Sequence, residues 1–247
     1  MSRYARVLDR LRSPTPDMSV PQTEYPVDIS PRSEATSGSP CHQHWREELN
    51  RLRGIVVLAN QLHGVQTLLI CGTRQDDGAS SVASHLAVAL AEVGRGRVAF
   101  ANARGTTSNG AHPLDAALVG SDRKMGVAAS SSLCVRRTCI TNLDVVTSRQ
   151  NGDSIMTLLQ PADLVRRLRK QFSYVILSAP PVITHPDTLL LATKVDGVIL
   201  IATAHRTRLD DLEVAKTELE HVGANILGVV LNAYRELLPR VLRSRSS

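Results

Sequence analysis

The chain has 247 residues, 43% hydrophobic and only 3% aromatic, and a formal net charge of +6. That is long enough for one large α/β domain with tails, whose core must be built from Val, Leu, Ile and Ala. With so few aromatic residues among the basic ones, stacking on single-stranded nucleic acid is excluded, and no apolar run approaches the ~20 residues that a membrane span needs.

The positive charge is nearly all arginine, since lysine occurs only at Lys124, Lys170, Lys194 and Lys216. It reads as a solvated basic surface, with nucleic acid or an anionic membrane as the other readings of such a balance. In chain order, residues 1 to 12 predict a short basic amphipathic helix, with Tyr4, Val7, Leu8 and Leu11 on one side. This start has no apolar core of the secretory type. Residues 13 to 42 are rich in Pro, Ser and Thr and read as a flexible linker. Residues 44 to 62 predict a helix with an apolar stripe of Trp45, Leu49, Leu52, Val56 and Ala59, while Glu47, Arg51 and Arg53 lie elsewhere on it.

Residues 66 to 71 predict the first strand, and a helix follows a short loop and runs to about Val93, stopped by Gly94 and Gly96. Arg97 to Ala101 is the second strand. Residues 103 to 141 are weakly patterned, with one short helix at Leu114 to Leu118 and a polar loop over 121 to 132. Strands follow at Leu143 to Val146, Tyr174 to Leu177, Gly197 to Ala202 and Ile226 to Leu231. Helices fall at Pro161 to Gln171, 186 to 193, and Arg208 to Val222 with Gly223 as its stop. The last residues form a basic tail. Continuous apolar strands alternating with helices predict an α/β fold, a mostly parallel sheet with helices on both faces. The domain reading is a flexible basic segment over 1–42, the α/β domain over 43–235 and the tail over 236–247.

The stretch LICGTRQDDGASSVASHLA, residues 69 to 87, organises the rest. Strand, glycine loop and helix is the architecture that binds phosphate on backbone N–H groups at a helix N-terminus. On the nucleotide pattern G-x-x-x-x-G-K-[ST], Gly78 and Ser80 match, Thr73 replaces the first glycine and Ala79 replaces the lysine. Ser80 and Ser81 fall in the first helical turn.

The series ICGTRQDDGASSVASHLA, VAFANARG, NLDVVTSR, FSYVILSAPPV, DTLLLATKVDGVILIAT and GANILGVVLN resembles the bacterial tyrosine kinases of capsule and exopolysaccharide assembly. That family sits within the MinD and ParA-like group of P-loop ATPases, and the resemblance covers about residues 44 to 232. It implies a P-loop fold, nucleotide held between subunits, and docking on the cytoplasmic tail of a membrane polysaccharide co-polymerase. It also locates what this chain has changed. The phosphate-neutralising lysine is Ala79. The two acidic residues of the family's second motif are Asn102 and Arg104. The metal-holding Asp of the third motif is Ser178, whereas the hydroxyl that ligates magnesium is kept as Ser80. The clustered C-terminal tyrosines are represented by Tyr234 alone. The family's Glu-x-x-Arg-x-x-Arg contact motif falls on Glu47, Asn50 and Arg53, so two of three residues are kept.

Phosphoryl transfer is mostly positioned charge, a metal, a lysine and a group that orients the acceptor, and oxygen-ligated metals need carboxylates. With four of those positions changed together, the expectation is a non-catalytic relative. It would act as a cytoplasmic partner or scaffold in polysaccharide synthesis or export, peripherally associated with the inner membrane through its partner or basic tails. Glu47, Asn50, Arg51 and Arg53 are the candidate interaction residues, and self-association is a further expectation. No resident cofactor or metal and no nucleic-acid partner is expected, only weak ATP or ADP binding. The alternatives are an active but atypical ATPase or tyrosine autokinase, and a ParA-like positioning protein. Cys41, Cys71, Cys134 and Cys139 have no C-x-x-C spacing and read as reduced thiols. The eight histidines are scattered without metal-ligand spacing.

Overall fold

Apolar runs without polar interruption become the inner strands of one sheet. The computed structural model describes residues 40–103, 133–148 and 160–233, with residues 40–45, 133 and 148 as backbone only. The predicted helices over 1 to 12 and Leu114 to Leu118, the linker up to residue 39, the loop over 121 to 132, Arg104, Tyr234 and the basic tail lie outside the described residues, while residues 40 to 42, predicted as the end of the linker, are helical. The elements are α1 (Pro40–His63), β1 (Thr67–Gly72), α2 (Ala79–Glu92), β2 (Val98–Asn102), β3 (Leu133–Arg137) and β4 (Leu143–Ser148). They continue with α3 (Pro161–Arg169), β5 (Tyr174–Ala179), α4 (Pro186–Ala192), β6 (Gly197–Thr203), α5 (Leu209–His221) and β7 (Ile226–Asn232).

The seven strands lie in the order β3-β4-β2-β5-β1-β6-β7. Every neighbouring pair is parallel except β3 with β4. Because side chains alternate along a strand, the central strands feed two cores. Leu68 and Ile70 of β1, Phe100 of β2 and Ile176 of β5 pack under α1 and α2. Leu69, Cys71, Ala99, Leu177 and Leu200 pack on the other face with α3, α4 and α5. Two-sided burial is why these strands read as unbroken hydrophobic runs.

The helix before β1 is longer than the predicted one and begins at Pro40. Leu49, Leu52, Val56 and Ala59 recur at intervals of three and four residues and are buried. The region predicted as weakly patterned holds one further strand, β3. It pairs antiparallel with β4, Val135 opposite Val146 and Arg137 opposite Asp144. Val135 is buried while Arg136 and Arg137 are exposed, so this edge strand carries too little apolar signal to be read from sequence. At the opposite end of the strands Asp196 fastens β1 to β6, accepting the N–H groups of Gln66 at 2.9 Å and Thr67 at 2.8 Å and ion-pairing with Arg169 at 2.6 Å.

Candidate functional site

The loop Thr73–Gly78 leaves the carboxyl end of β1, the central strand between β5 and β6, and turns into α2. Crevices outside the carboxyl ends of parallel strands are where open α/β sheets bind ligands. Gly78 caps α2 in the left-handed region, φ 82° and ψ 14°, and a Cβ there would fall 2.2 Å from the Asn232 side-chain nitrogen. The helix's first internal bond runs from Val82 N–H to the Gly78 carbonyl at 3.0 Å, so the first turn presents backbone N–H groups to the loop's mouth. Above it lies a cleft of about 240 Å³ lined by Arg74, Asp76, Gly78, Ala79, Ser80 and Pro181, among others.

The predicted positions divide into three groups. Gly78, Ala79 and Ser80 line the cleft. Ala79 is 9% exposed and its methyl group belongs to the core under α2, so no charge is offered at the lysine's place. Thr73 is fully buried, donating N–H and Oγ1 to the Ile201 carbonyl at 3.1 and 3.3 Å, and is tied to β6 rather than open to the cleft. Ser81 turns along the helix, its carbonyl accepting Ser84 Oγ at 2.8 Å and its hydroxyl lying 3.5 Å from His85 Nδ1. Asn102 and Ser178 stand side by side in register on β2 and β5, on the face that α2 covers. The Ser178 hydroxyl is buried there and has no hydrogen-bond partner among the described residues.

The loop carries two adjacent carboxylates, Asp76 and Asp77. Both residues line the cleft, Asp76 with φ 66°, while the Asp77 carboxylate turns inward and is only 2% exposed. Its Oδ2 accepts Arg74 N–H at 2.6 Å and its Oδ1 accepts the hydroxyls of Thr203 at 3.0 Å and Thr207 at 2.8 Å. Asn232 Nδ2 donates to the Asp77 carbonyl at 2.9 Å. Arg74, the cation of the loop, has its Nε 3.1 Å from Asp211 on the first turn of α5. Among the described residues no cluster of His, Cys, Asp or Glu is placed to hold a metal. Ser80, the hydroxyl that the family resemblance assigns to magnesium, lines the cleft together with Asp76.

Thr203, Thr207, Asp211 and Asn232 were not singled out from the sequence. Their partners are 126 to 155 residues away for the Asp77 contacts, and no local spacing announces them. On α1, Glu47 and Asn50 are exposed and Arg53 is half-buried. Arg51 ion-pairs at 2.6 Å with Glu48, which is only 3% exposed. Glu48 stands four and eight residues before the buried Leu52 and Val56, a spacing that marks it as inward-facing.

No family model matches the chain. The tyrosine-protein kinase CpsD of Streptococcus agalactiae is 27% identical over 173 residues, 68% of this chain and 76% of that protein. Among solved structures, the kinase domain of the Escherichia coli tyrosine kinase ETK superposes with a TM-score of 0.63 at 20% identity, covering 78% of this chain and 77% of that one. The septum site-determining protein MinD of Pyrococcus horikoshii, complexed with Mg-ADP, superposes with a TM-score of 0.53 at 18% identity, covering 72% and 76%. The chain is thus a homologue of the bacterial tyrosine-protein kinases, built on the fold they share with the MinD-like P-loop ATPases.

Proposed function

We propose that this protein is a non-catalytic relative of the bacterial tyrosine kinases, acting as a cytoplasmic partner or scaffold at a membrane polysaccharide co-polymerase. The observation that carries the reading is the chemistry of the cleft. The lysine position holds a methyl group, and the loop's buried carboxylate is spent on Arg74, Thr203 and Thr207. Transfer of a phosphoryl group rests on positioned cations and a metal, and the cation that the described residues bring to this cleft, Arg74, lies against Asp211. What is retained is a rigid two-cored body and the helix α1 with Glu47, Asn50, Arg51 and Arg53. The polysaccharide setting and the co-polymerase come from the family resemblance, and self-association through α1 belongs to the same reading.

Two measurements test it together. Purified protein incubated with radiolabelled ATP is expected to stay unlabelled, as is a Ser80→Ala control. Phosphotyrosine that disappears in the control would establish an active kinase instead. A pull-down against the cytoplasmic tail of the co-polymerase encoded nearby is expected to retain the protein. Failure to bind, with normal polysaccharide export in a deletion strain, overturns the partner reading.

A further inference from the structure

We propose that the phosphate loop is braced from within: the Asp77 carboxylate, held by Thr203, Thr207 and the Arg74 amide, fixes the loop's shape through the protein's own groups. The proposal stands on this geometry alone and does not depend on the partner reading.

A buried carboxylate is costly unless its oxygens are satisfied. Here the donors are specific. Arg74 N–H reaches Oδ2 at 2.6 Å, and the Thr207 and Thr203 hydroxyls reach Oδ1 at 2.8 and 3.0 Å. Thr207 has one hydroxyl proton, and it goes to Asp77, because the same oxygen accepts Thr203 N–H at 2.7 Å. That bond ties the turn after β6 into the arrangement. A second tether comes from β7. Asn232 Nδ2 donates to the Asp77 carbonyl at 2.9 Å, while its Oδ1 accepts Ala233 N–H at 2.9 Å. The amide also occupies the space beside Gly78 that a Cβ would need. Thr73, at the other end of the loop, is tied to Ile201 of β6.

The loop is therefore pinned at both ends and at its one buried carboxylate, by strands on the same side of β1. A loop that closes around a ligand is ordered when the ligand binds. This one has its ends and its buried carboxylate already tied to the protein's own chain, so an added nucleotide has little ordering of the loop left to do. Asp77 and the two threonines are positioning residues for the loop and touch no ligand in this arrangement.

Amide hydrogen exchange on the full-length protein tests the brace, read in peptides covering 73–81 and, as a reference, in β5 and β6. In wild type, millimolar MgATP is expected to leave exchange of 73–81 unchanged. Thr203→Val combined with Thr207→Val keeps side-chain shape and removes both hydroxyl donors. It is expected to speed exchange of the loop by about tenfold or more, the local opening expected from losing two charge-assisted bonds, with β5 and β6 unchanged. Asp77→Ala is expected to do the same, and Asp77→Asn, which keeps one acceptor oxygen for the threonines, to recover part of the protection. The proposal is overturned if MgATP slows loop exchange severalfold in wild type, if the threonine pair leaves it unaltered, or if the acceleration spreads equally through the sheet. Should Asp77→Ala fail to fold, the threonine pair and the wild-type nucleotide comparison still decide.

Discussion

At the scale of single residues, Ala79 and Asp196 show how one side chain sets a measurable property. A lysine at position 79 would bring an ammonium group to the cleft that Gly78, Ala79 and Ser80 line. A charge-assisted hydrogen bond to phosphate contributes about 1.5–3 kcal/mol, or roughly 10- to 150-fold in affinity. Calorimetry is expected to show ATP binding weaker than about 100 μM in wild type on that arithmetic. Ala79→Lys is expected to tighten it by that factor with turnover still at background, because the described residues hold no metal cluster. Low-micromolar affinity in wild type would show that Arg74, now beside Asp211, has released to take the lysine's place. Asp196 works at the other end of the sheet. Burial pushes its carboxyl up, but the Thr67 and Gln66 amides, the Thr67 hydroxyl and the Arg169 guanidinium outweigh that and hold it below the usual carboxylate range. A carboxyl whose folded value is lowered adds stability that is fully present above its unfolded value, near 3.9, and is lost as pH falls through the folded one. Asp196→Ala is expected to cost about 1–3 kcal/mol at neutral pH through the abandoned amide donors. In urea unfolding the gap from wild type should narrow only in acid, below about pH 4. A gap that is constant down to pH 2 would contradict the assignment. Burial pushes the Cys71 thiol up to about 12, which fits the reading of that cysteine as a reduced, inert core residue.

At the scale of elements, the legibility of the sequence followed burial. Strands with both faces covered, such as β1, β5 and β6, were readable because Leu68–Cys71, Val175–Leu177 and Val198–Ala202 are unbroken apolar runs. The loop and its helix were readable because glycine and the helical spacing of Val82, Leu86 and Leu90 are local signals. The edge strand β3 was not, since it buries Val135 and leaves Arg136 and Arg137 in solvent. Nor was the inward turn of Asp77, whose partners are set by the register of β6 and β7 rather than by neighbours in the chain. The same difference separates two arginines of α1 that look alike in the sequence. Arg51 ion-pairs with Glu48, a carboxylate buried to 3% exposure whose second oxygen has no partner among the described residues. Arg51→Glu removes that cation and adds a like charge, and is expected to lower stability by about 1–3 kcal/mol. Arg53 is half-buried, and no ion pair is described for it among these residues. Arg53→Glu is therefore the cleaner probe of association: it is expected to weaken binding to a co-polymerase tail or a second copy while thermal unfolding moves little. If Arg53→Glu unfolds the protein as readily as Arg51→Glu, loss of binding in either variant says nothing about an interface.

At the scale of the whole molecule, the question is what holds the domain together once nucleotide contributes little. Both faces of the sheet carry their own core, one under α1 and α2 and one under α3, α4 and α5. The loop between β1 and α2 is tied to β6 and β7 by Asp77, Thr73 and Asn232. Ligand stabilisation follows RT ln(1 + [L]/Kd), so 1 mM ATP against a Kd of about 100 μM or weaker adds at most about 1.4 kcal/mol. For a domain of this size that is a rise of no more than about 5 °C in the unfolding midpoint. A thermal scan with and without MgATP is expected to stay inside that bound, and a rise of 10 °C or more would mean that the cleft is a genuine nucleotide site. Removing residues 1 to 39 should leave the midpoint within about 2 °C, since among the described residues both cores are built from residue 49 onward. The same truncation separates the domain's roles. It removes the basic segment Arg3 to Arg12, which the sequence offers as a contact for a membrane surface or a co-polymerase tail. The shortened protein is expected to fold normally and to lose recruitment to the membrane fraction of cells. If it remains in that fraction at the wild-type level, recruitment runs through the domain itself, and α1 with Arg53 becomes the surface to mutate next.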